Sequence, residues 1–212
     1  MHVVGIDLAG PAGSASTGIA VFSPSANALR FVAQQCDGSD LQVHALAVNL
    51  SRNGPVVIGV DAPLSYEPGG GQRHRDRELR SVIVSRGMRP GSVMAPTAPR
   101  MVYLTLRGIA LATALSAVPS VRVVEVHPGA ALCLRGAPLG DVMSFAHDEG
   151  ARERLLSWFA SHGLHGVTSS QPCVSHFVAA CAAAIAAWDW ASKRPAWHVR
   201  ADPPWHPYDF AC

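Results

Sequence analysis

Apolar runs broken by glycine-rich turns dominate the amino-terminal part of the chain, and they predict strands before helices. Val3 to Ile6 is continuously apolar, ends at Asp7, and reads as a buried strand. A small, flexible loop follows, Gly10-Pro-Ala-Gly-Ser-Ala-Ser16. Thr17 to Phe22 then forms a second strand and closes a hairpin with a long turn, and Leu29 to Gln35 supplies a third. Asp37-Gly-Ser-Asp40 is a turn with Asp40 as a candidate N-cap. Leu41, Ala45 and Val48 continue it as a helix that Asn53-Gly54 ends. Val56 to Val60 is another apolar run, so a buried strand is expected, giving way to Asp61-Ala-Pro-Leu-Ser65.

Further along, Gly87 to Pro99 reads as an ordered loop over the strand ends. Pro99 suits N1 of a long helix through Val118, with Met101, Leu104, Gly108, Leu111 and Leu115 on one face. Val121 to Val126 is a strand closed by His127-Pro128, in which Glu125 faces with Val123, away from Val124 and Val126. Asp148 caps a helix from Ala151 to Ser161, and Ser169 to Pro172 starts a last, alanine-rich helix running to about Arg194. The tail, residues 195–212, is extended and aromatic and is expected to strap over the body or an edge strand.

Composition narrows the class. With 49% apolar and 15% charged residues, the chain 1–212 is a single globular domain and not a disordered segment. A formal net charge of +2 does not by itself diagnose a nucleic-acid partner. Its distribution is more informative, because eight of the seventeen Lys and Arg residues lie between Arg73 and Arg107, most of them in an insert at about 66–100 opened by Gly69-Gly70-Gly71. Arg73, Arg75, Arg77 and Arg80 form either a phosphate-facing patch that binds nucleic acid or a solvated helix paired locally with Asp76 and Glu78. Five cysteines without a CxxC pair, and no secretory signal at the start, point to reduced thiols and a cytoplasmic protein. The longest apolar run, Phe177 to Trp188, is too short to span a bilayer, so no membrane role is expected.

Three carboxylates fall at or near strand ends: Asp7, Asp61 and Glu125. An unpaired carboxylate inside a sheet is costly and needs a partner. Asp7 either caps the glycine-rich turn or handles a metal or phosphate. Were the two strands adjacent, Asp7 and Asp61 would form a pair suited to Mg²⁺ or Mn²⁺, since hard cations take oxygen ligands. Such ions stabilise the attacking and leaving oxygens of a phosphodiester in an in-line displacement.

Several blocks together resemble a known family. They are Gly5-Ile-Asp-Leu-Ala9 with Thr17-Gly18, Ile58-Gly-Val-Asp-Ala-Pro-Leu-Ser65, Asp76-Arg-Glu-Leu-Arg80 and Val124-Glu-Val-His-Pro128. They look like the domain-of-unknown-function 429 family, regarded as predicted nucleases of RNase H-like fold. The resemblance implies an α/β fold with a mixed five-stranded sheet, three strands antiparallel and then two parallel, and helices on both faces. It also implies that Asp7 and Asp61 match the first two acids of the Holliday-junction-resolvase pattern. The sequence departs from that pattern in the last helix. Resolvase-like chains carry an acid there, as in His-x-x-Asp-Ala, whereas this chain has His176-Phe-Val-Ala179-Ala180. Asp189 does not replace it, being roughly 15 Å further along a helix and on another face. The metal set is then Asp7 and Asp61, with His176 or Glu125 completing the catalytic candidates. The expected activity is a divalent-metal-dependent nuclease or phosphodiesterase. Two alternatives are an actin-like or sugar-kinase-related nucleotide-binding protein, and a nucleic-acid-binding module that has lost its chemistry.

Overall fold

A computed structural model of the chain describes residues 1–168 and 174–212. Strand β1 (His2–Asp7) is apolar throughout its middle because both of its sides are covered. It pairs antiparallel with β2 (Gly18–Ser25), which pairs antiparallel with β3 (Ala28–Gln35). On its other side β1 runs parallel to β4 (Val56–Asp61), and β4 runs parallel to β5 (Val121–Val126). The three antiparallel and two parallel strands expected from the sequence therefore lie in one mixed α/β sheet.

The expected count of five strands is too low. A short strand β6 (Leu164–His165) extends the β3 edge, and β8 (Phe210–Ala211) and β7 (His198–Val199) extend the β5 edge, giving eight strands among the described residues. Two-residue strands carry no readable periodicity, which hid them. The tail thus joins the sheet: β8 runs parallel to β5, with Phe210 opposite Glu125, and β7 folds back on β8.

Seven α-helices accompany the strands among the described residues: α1 (Asp40–Ser51), α2 (His74–Ser85), α3 (Val102–Ser116), α4 (Pro128–Leu134), α5 (Leu139–Ser144), α6 (Glu149–Ser161) and α7 (Val174–Ala191). Ser39, not Asp40, caps α1: its Oγ accepts from the Gln42 N–H, and Gln42 Oε1 accepts from the Ser39 N–H. That helix buries Val43 and Ala47 and leaves Leu41 exposed. Helix α3 starts at Val102 after a turn, so Pro99 precedes it instead of occupying N1. Asp148 caps α6 as expected, accepting from the Ala151 N–H. The expected start of the last helix, Ser169 to Pro172, lies outside the described residues, as does Cys173. Cys133, Cys181 and Cys212 are buried free thiols, and burial pushes Cys212 up to about 12. No helix among the described residues is long and apolar enough to cross a membrane.

Strand alternation divides the core into two layers. Val4, Ile6, Ile58 and Val60 pack with Val43 of α1 and Leu111 and Leu115 of α3. Val3, Ala20, Val57 and Val124 pack with Ala180, Ala183 and Ala184 of α7. Helix α7 lies unusually close to the strands, because the register partners Gly5 and Gly59 have no side chain to hold it off. A methyl group at Gly5 would land on the carbonyl oxygen of Ala180, and one at Gly59 would sit 2.5 Å from that of Ala183.

Gly5→Ala must push α7 off the sheet and is expected to cost more than about 3 kcal/mol. Gly10→Ala meets nothing within 4 Å and serves as the neutral control. Urea unfolding of the two variants checks this, and equal midpoints would refute the close packing.

Candidate active site

Asp7 and Asp61 are register partners at the carboxyl ends of two adjacent parallel strands. Alternation along β1 and β4 aligns them with Gly5 and Gly59, on the α7 side of the sheet. The pairing sets the two carboxyl groups side by side at the end of the sheet. Burial is the main reason that the Asp61 carboxyl is held well above the usual carboxylate range. The negative charges of Asp7 and Glu125 and the bond to Asp7 push it the same way. His176, in the first turns of α7, completes the group: its Nδ1 donates to Asp7 Oδ2 at 2.7 Å. That bond raises the imidazole above its ordinary value, outweighing partial burial. The close seat of α7 sets this distance, since a methyl at Gly18 would lie 2.8 Å from His176 Cβ.

Glu125 has a different neighbourhood. It shares a strand face with Val123, on the α3 side, and it is buried. Arg73 Nη1 donates to Glu125 Oε2 at 2.8 Å, and the Leu64 N–H donates to the same oxygen at 3.0 Å. Arg73 is 1% exposed and also donates to Asp76 and to Ser65 Oγ. Burial alone would lower the guanidinium's affinity for its proton, but Glu125 and Asp76 outweigh that and raise it further. Charge on Glu125 is therefore met by a buried arginine, whereas the Asp7–Asp61 pair is met by one half-exposed histidine.

Of the arginines expected to face phosphates, Arg73 and Arg75 are buried, Arg80 is half-buried and Arg77 is exposed, and all four are bonded within the protein. Arg75 is buried and donates to the carbonyls of Tyr208 at 2.8 Å and Arg200 at 3.1 Å, tying the tail to α2. Arg77 donates to the Gln72 carbonyl at 2.6 Å. Arg80 donates to Gln72 Oε1 at 2.8 Å and to the Val93 carbonyl. The insert is thus neither a solvated helix nor an open basic stripe at Arg73 and Arg75, because these two side chains are consumed in fixing β5 and the tail. The three-residue spacing of Arg73 and Asp76 was the available sign of such a pair. Asp76 Oδ2 accepts from the Arg73 backbone N–H at 2.9 Å.

The acids lie on the floor of a cavity of about 860 Å³, large enough for a small-molecule ligand. One wall comes from the loop at 88–94 and the start of α3, as the sequence led us to expect of a loop over the strand ends. Others come from α5 and from Ser175, His176 and Ala179 of α7. Ala179 therefore faces the same space as Asp7. His127, unassigned from the sequence, also lines it. Burial lowers its pKa; the ring accepts at Nδ1 from the Ala130 N–H and reaches the Ser92 carbonyl from Nε2 at 2.8 Å.

A family model described as Protein of unknown function (DUF429) matches residues 5–201. The chain belongs to this family. A search of curated proteins finds no match. In this DUF429 protein no group of three His, Cys, Asp or Glu side chains with metal-holding geometry occurs among the described residues. The paired oxygens of Asp7 and Asp61 nevertheless fit a hard cation of the Mg²⁺ type, which takes one or two carboxylates and fills its other positions with water and phosphate oxygens.

Two outcomes are expected. Arg73→Met leaves Glu125 buried without a counter-charge and should cost about 3–5 kcal/mol, part of which Glu125→Gln restores in the double variant. Urea denaturation checks it, and independent, additive effects would refute the pairing. His176 carries a raised pKa in the folded state. Its contribution to stability is full below about pH 6.5, the ordinary value for histidine, and is lost as pH rises through the raised value. The melting-temperature gap between wild type and His176→Gln should therefore narrow with increasing pH, and a pH-independent gap would refute the ion pair.

Proposed function

We propose that this DUF429 protein is a phosphodiesterase or nuclease of RNase H-like fold, dependent on Mg²⁺ or Mn²⁺. The observation that carries the reading is the register pairing of Asp7 with Asp61 at the carboxyl ends of neighbouring strands, on the floor of the cavity. Ligands gather outside the carboxyl ends of strands in sheets of this kind. The order β3-β2-β1-β4-β5, antiparallel for three strands and then parallel, supports the RNase H-like assignment. The inferred partner is a nucleic acid or nucleotide phosphodiester, and the buried free thiols suit a cytoplasmic setting.

In this reading Asp7 and Asp61 would hold the cation, which when bound polarises a phosphoryl oxygen as a Lewis acid. His176 keeps a proton at Nδ1 and holds the Asp7 carboxylate in one orientation. Glu125 and Arg73 neutralise each other and fix the turn after β4 through the Leu64 amide. Apolar walls above the acids limit water and strengthen their electrostatics. Ala179 contributes no charge, so the site carries one acid fewer than the resolvase pattern.

Calorimetric titration with Mn²⁺ tests the proposal. Wild type should bind the cation, and Asp7→Asn and Asp61→Asn should each weaken binding by about tenfold or more. Ala179→Asp should tighten binding while lowering the melting temperature in chelator, because a further carboxylate joins a repelling pair. Both Asn variants should abolish cleavage of a phosphodiester. Unchanged Mn²⁺ affinity in both would overturn the proposal.

A further inference from the structure

Apart from Met1, the chain has four methionines, and all four line the same cavity: Met88, Met94, Met101 and Met143. They come from three separate parts of the chain: the loop before α3, the turn that opens α3, and α5. Their convergence is a property of the tertiary structure. Met88 is 6% exposed and supports the wall, whereas Met94 and Met143 are 36% and 37% exposed and stand at its mouth. Leu104 and Phe145 continue the same apolar surface. Thioethers are soft and polarisable, adapt to irregular shapes, and make favourable contacts with aromatic rings. Exposed apolar side chains around a cavity mark a place where something apolar binds.

The floor and the walls therefore ask for different things. The floor offers oxygen ligands, while the walls offer a pliable apolar slot with few cations. Of the lining arginines, Arg73 is spent on Glu125 and Asp76, and Arg89 is exposed at the rim. A duplex needs an extended basic surface that tracks its backbone. A pocket of about 860 Å³ with one rim arginine offers instead a seat for one compact molecule.

We infer that the cavity takes a single nucleotide unit, a phosphate ester carrying one flat aromatic base, with the base held between the methionines and the phosphate directed to the acids. The phosphate end of this inference rests on the phosphodiesterase reading, and the base end rests on the methionine wall alone.

The test uses the full chain and four probes: AMP, ribose 5-phosphate, adenosine and a short DNA duplex. With Mn²⁺ present, calorimetry should give AMP an affinity about tenfold above that of ribose 5-phosphate, the increment expected of aromatic contacts with sulfur. The variant Met94→Ala/Met143→Ala, altered at half-exposed positions, should bring the two probes to similar affinity and leave ribose 5-phosphate binding unchanged. AMP should also slow peroxide oxidation of Met94 and Met143, read by mass spectrometry as sulfoxide formation. Equal affinity for AMP and ribose 5-phosphate in wild type, a preference that survives in the double variant, or tighter binding of the duplex than of AMP would overturn the inference. The two readings fail separately. Adenosine protecting the methionines while Mn²⁺ leaves AMP affinity unchanged supports the base slot and removes the phosphodiesterase. Mn²⁺-dependent binding of ribose 5-phosphate with no gain for AMP keeps the phosphodiesterase and removes the base slot.

Discussion

The seating of α7 on the sheet sets the geometry of everything near Asp7. Backbone meets backbone there: Gly5 and Gly59 face Ala180 and Ala183 with no room for a methyl group. Alanines at 179, 180, 182, 183 and 184 let the helix come that close while filling the layer. One consequence is packing, since small residues on the helix against glycine on the strands let the two backbones approach closely. The other is position. His176 is carried in over Gly18 and its imidazole reaches Asp7 at 2.7 Å. Held one side chain further out, the same helix would leave Asp7 and Asp61 without a cationic neighbour.

Charge is distributed around the strand ends with the same economy. Three acids meet there, and the protein treats them in two ways. Glu125 receives a buried guanidinium and a backbone amide, so its charge is neutralised and its side chain is fixed. Among the described residues Asp7 receives one half-exposed histidine, and burial raises the pKa of Asp61 beside it. Buried carboxylates without a full counter-charge are costly, and such costs persist where a site needs them. The contrast with Glu125 shows that the fold had the means to neutralise an acid at this end of the sheet and did so for one of three. That asymmetry is consistent with a cation at the Asp7–Asp61 register pair and not at Glu125.

The insert and the tail belong to one structural unit. Arg73 holds β5 from one side and Arg75 holds the tail from the other, three residues from Asp76 and Glu78 on the same helix. Phe210 of the tail lies opposite Glu125 in β8, and Arg73 lies 5.7 Å from its ring centroid. Asp209 joins the arrangement by accepting from Trp190, His198 and the Ala201 amide, whose bonds outweigh burial and lower its pKa. The loop at 88–94 in the cavity wall is tied to the same insert and to the end of β5, because Arg80 donates to the Val93 carbonyl and His127 Nε2 lies 2.8 Å from the Ser92 carbonyl.

The long strands and the two acids at their ends were legible in the chain, whereas the central arrangement of the sheet that pairs Asp7 with Asp61 was legible only through the family resemblance. Apolar runs ending in Asp are local signals, and burial of both sheet faces leaves few other readings. His176 was legible only through its resemblance to a helical motif, because nothing in its own surroundings separates a ligand from a core histidine. Local sequence did not decide the strands β6, β7 and β8, which exist only by pairing with longer neighbours. Nor did it decide the fate of the arginines. Arg73, Arg75, Arg77 and Arg80 look alike in sequence, and what distinguishes a buried counter-ion from a surface cation is the partner brought to it from 52 residues away at Glu125 or 133 residues away at Tyr208. The four methionines share no spacing at all. Periodicity reports which face of an element is covered, whereas a site is made where the ends of several elements meet, and that meeting is fixed by packing across the sheet.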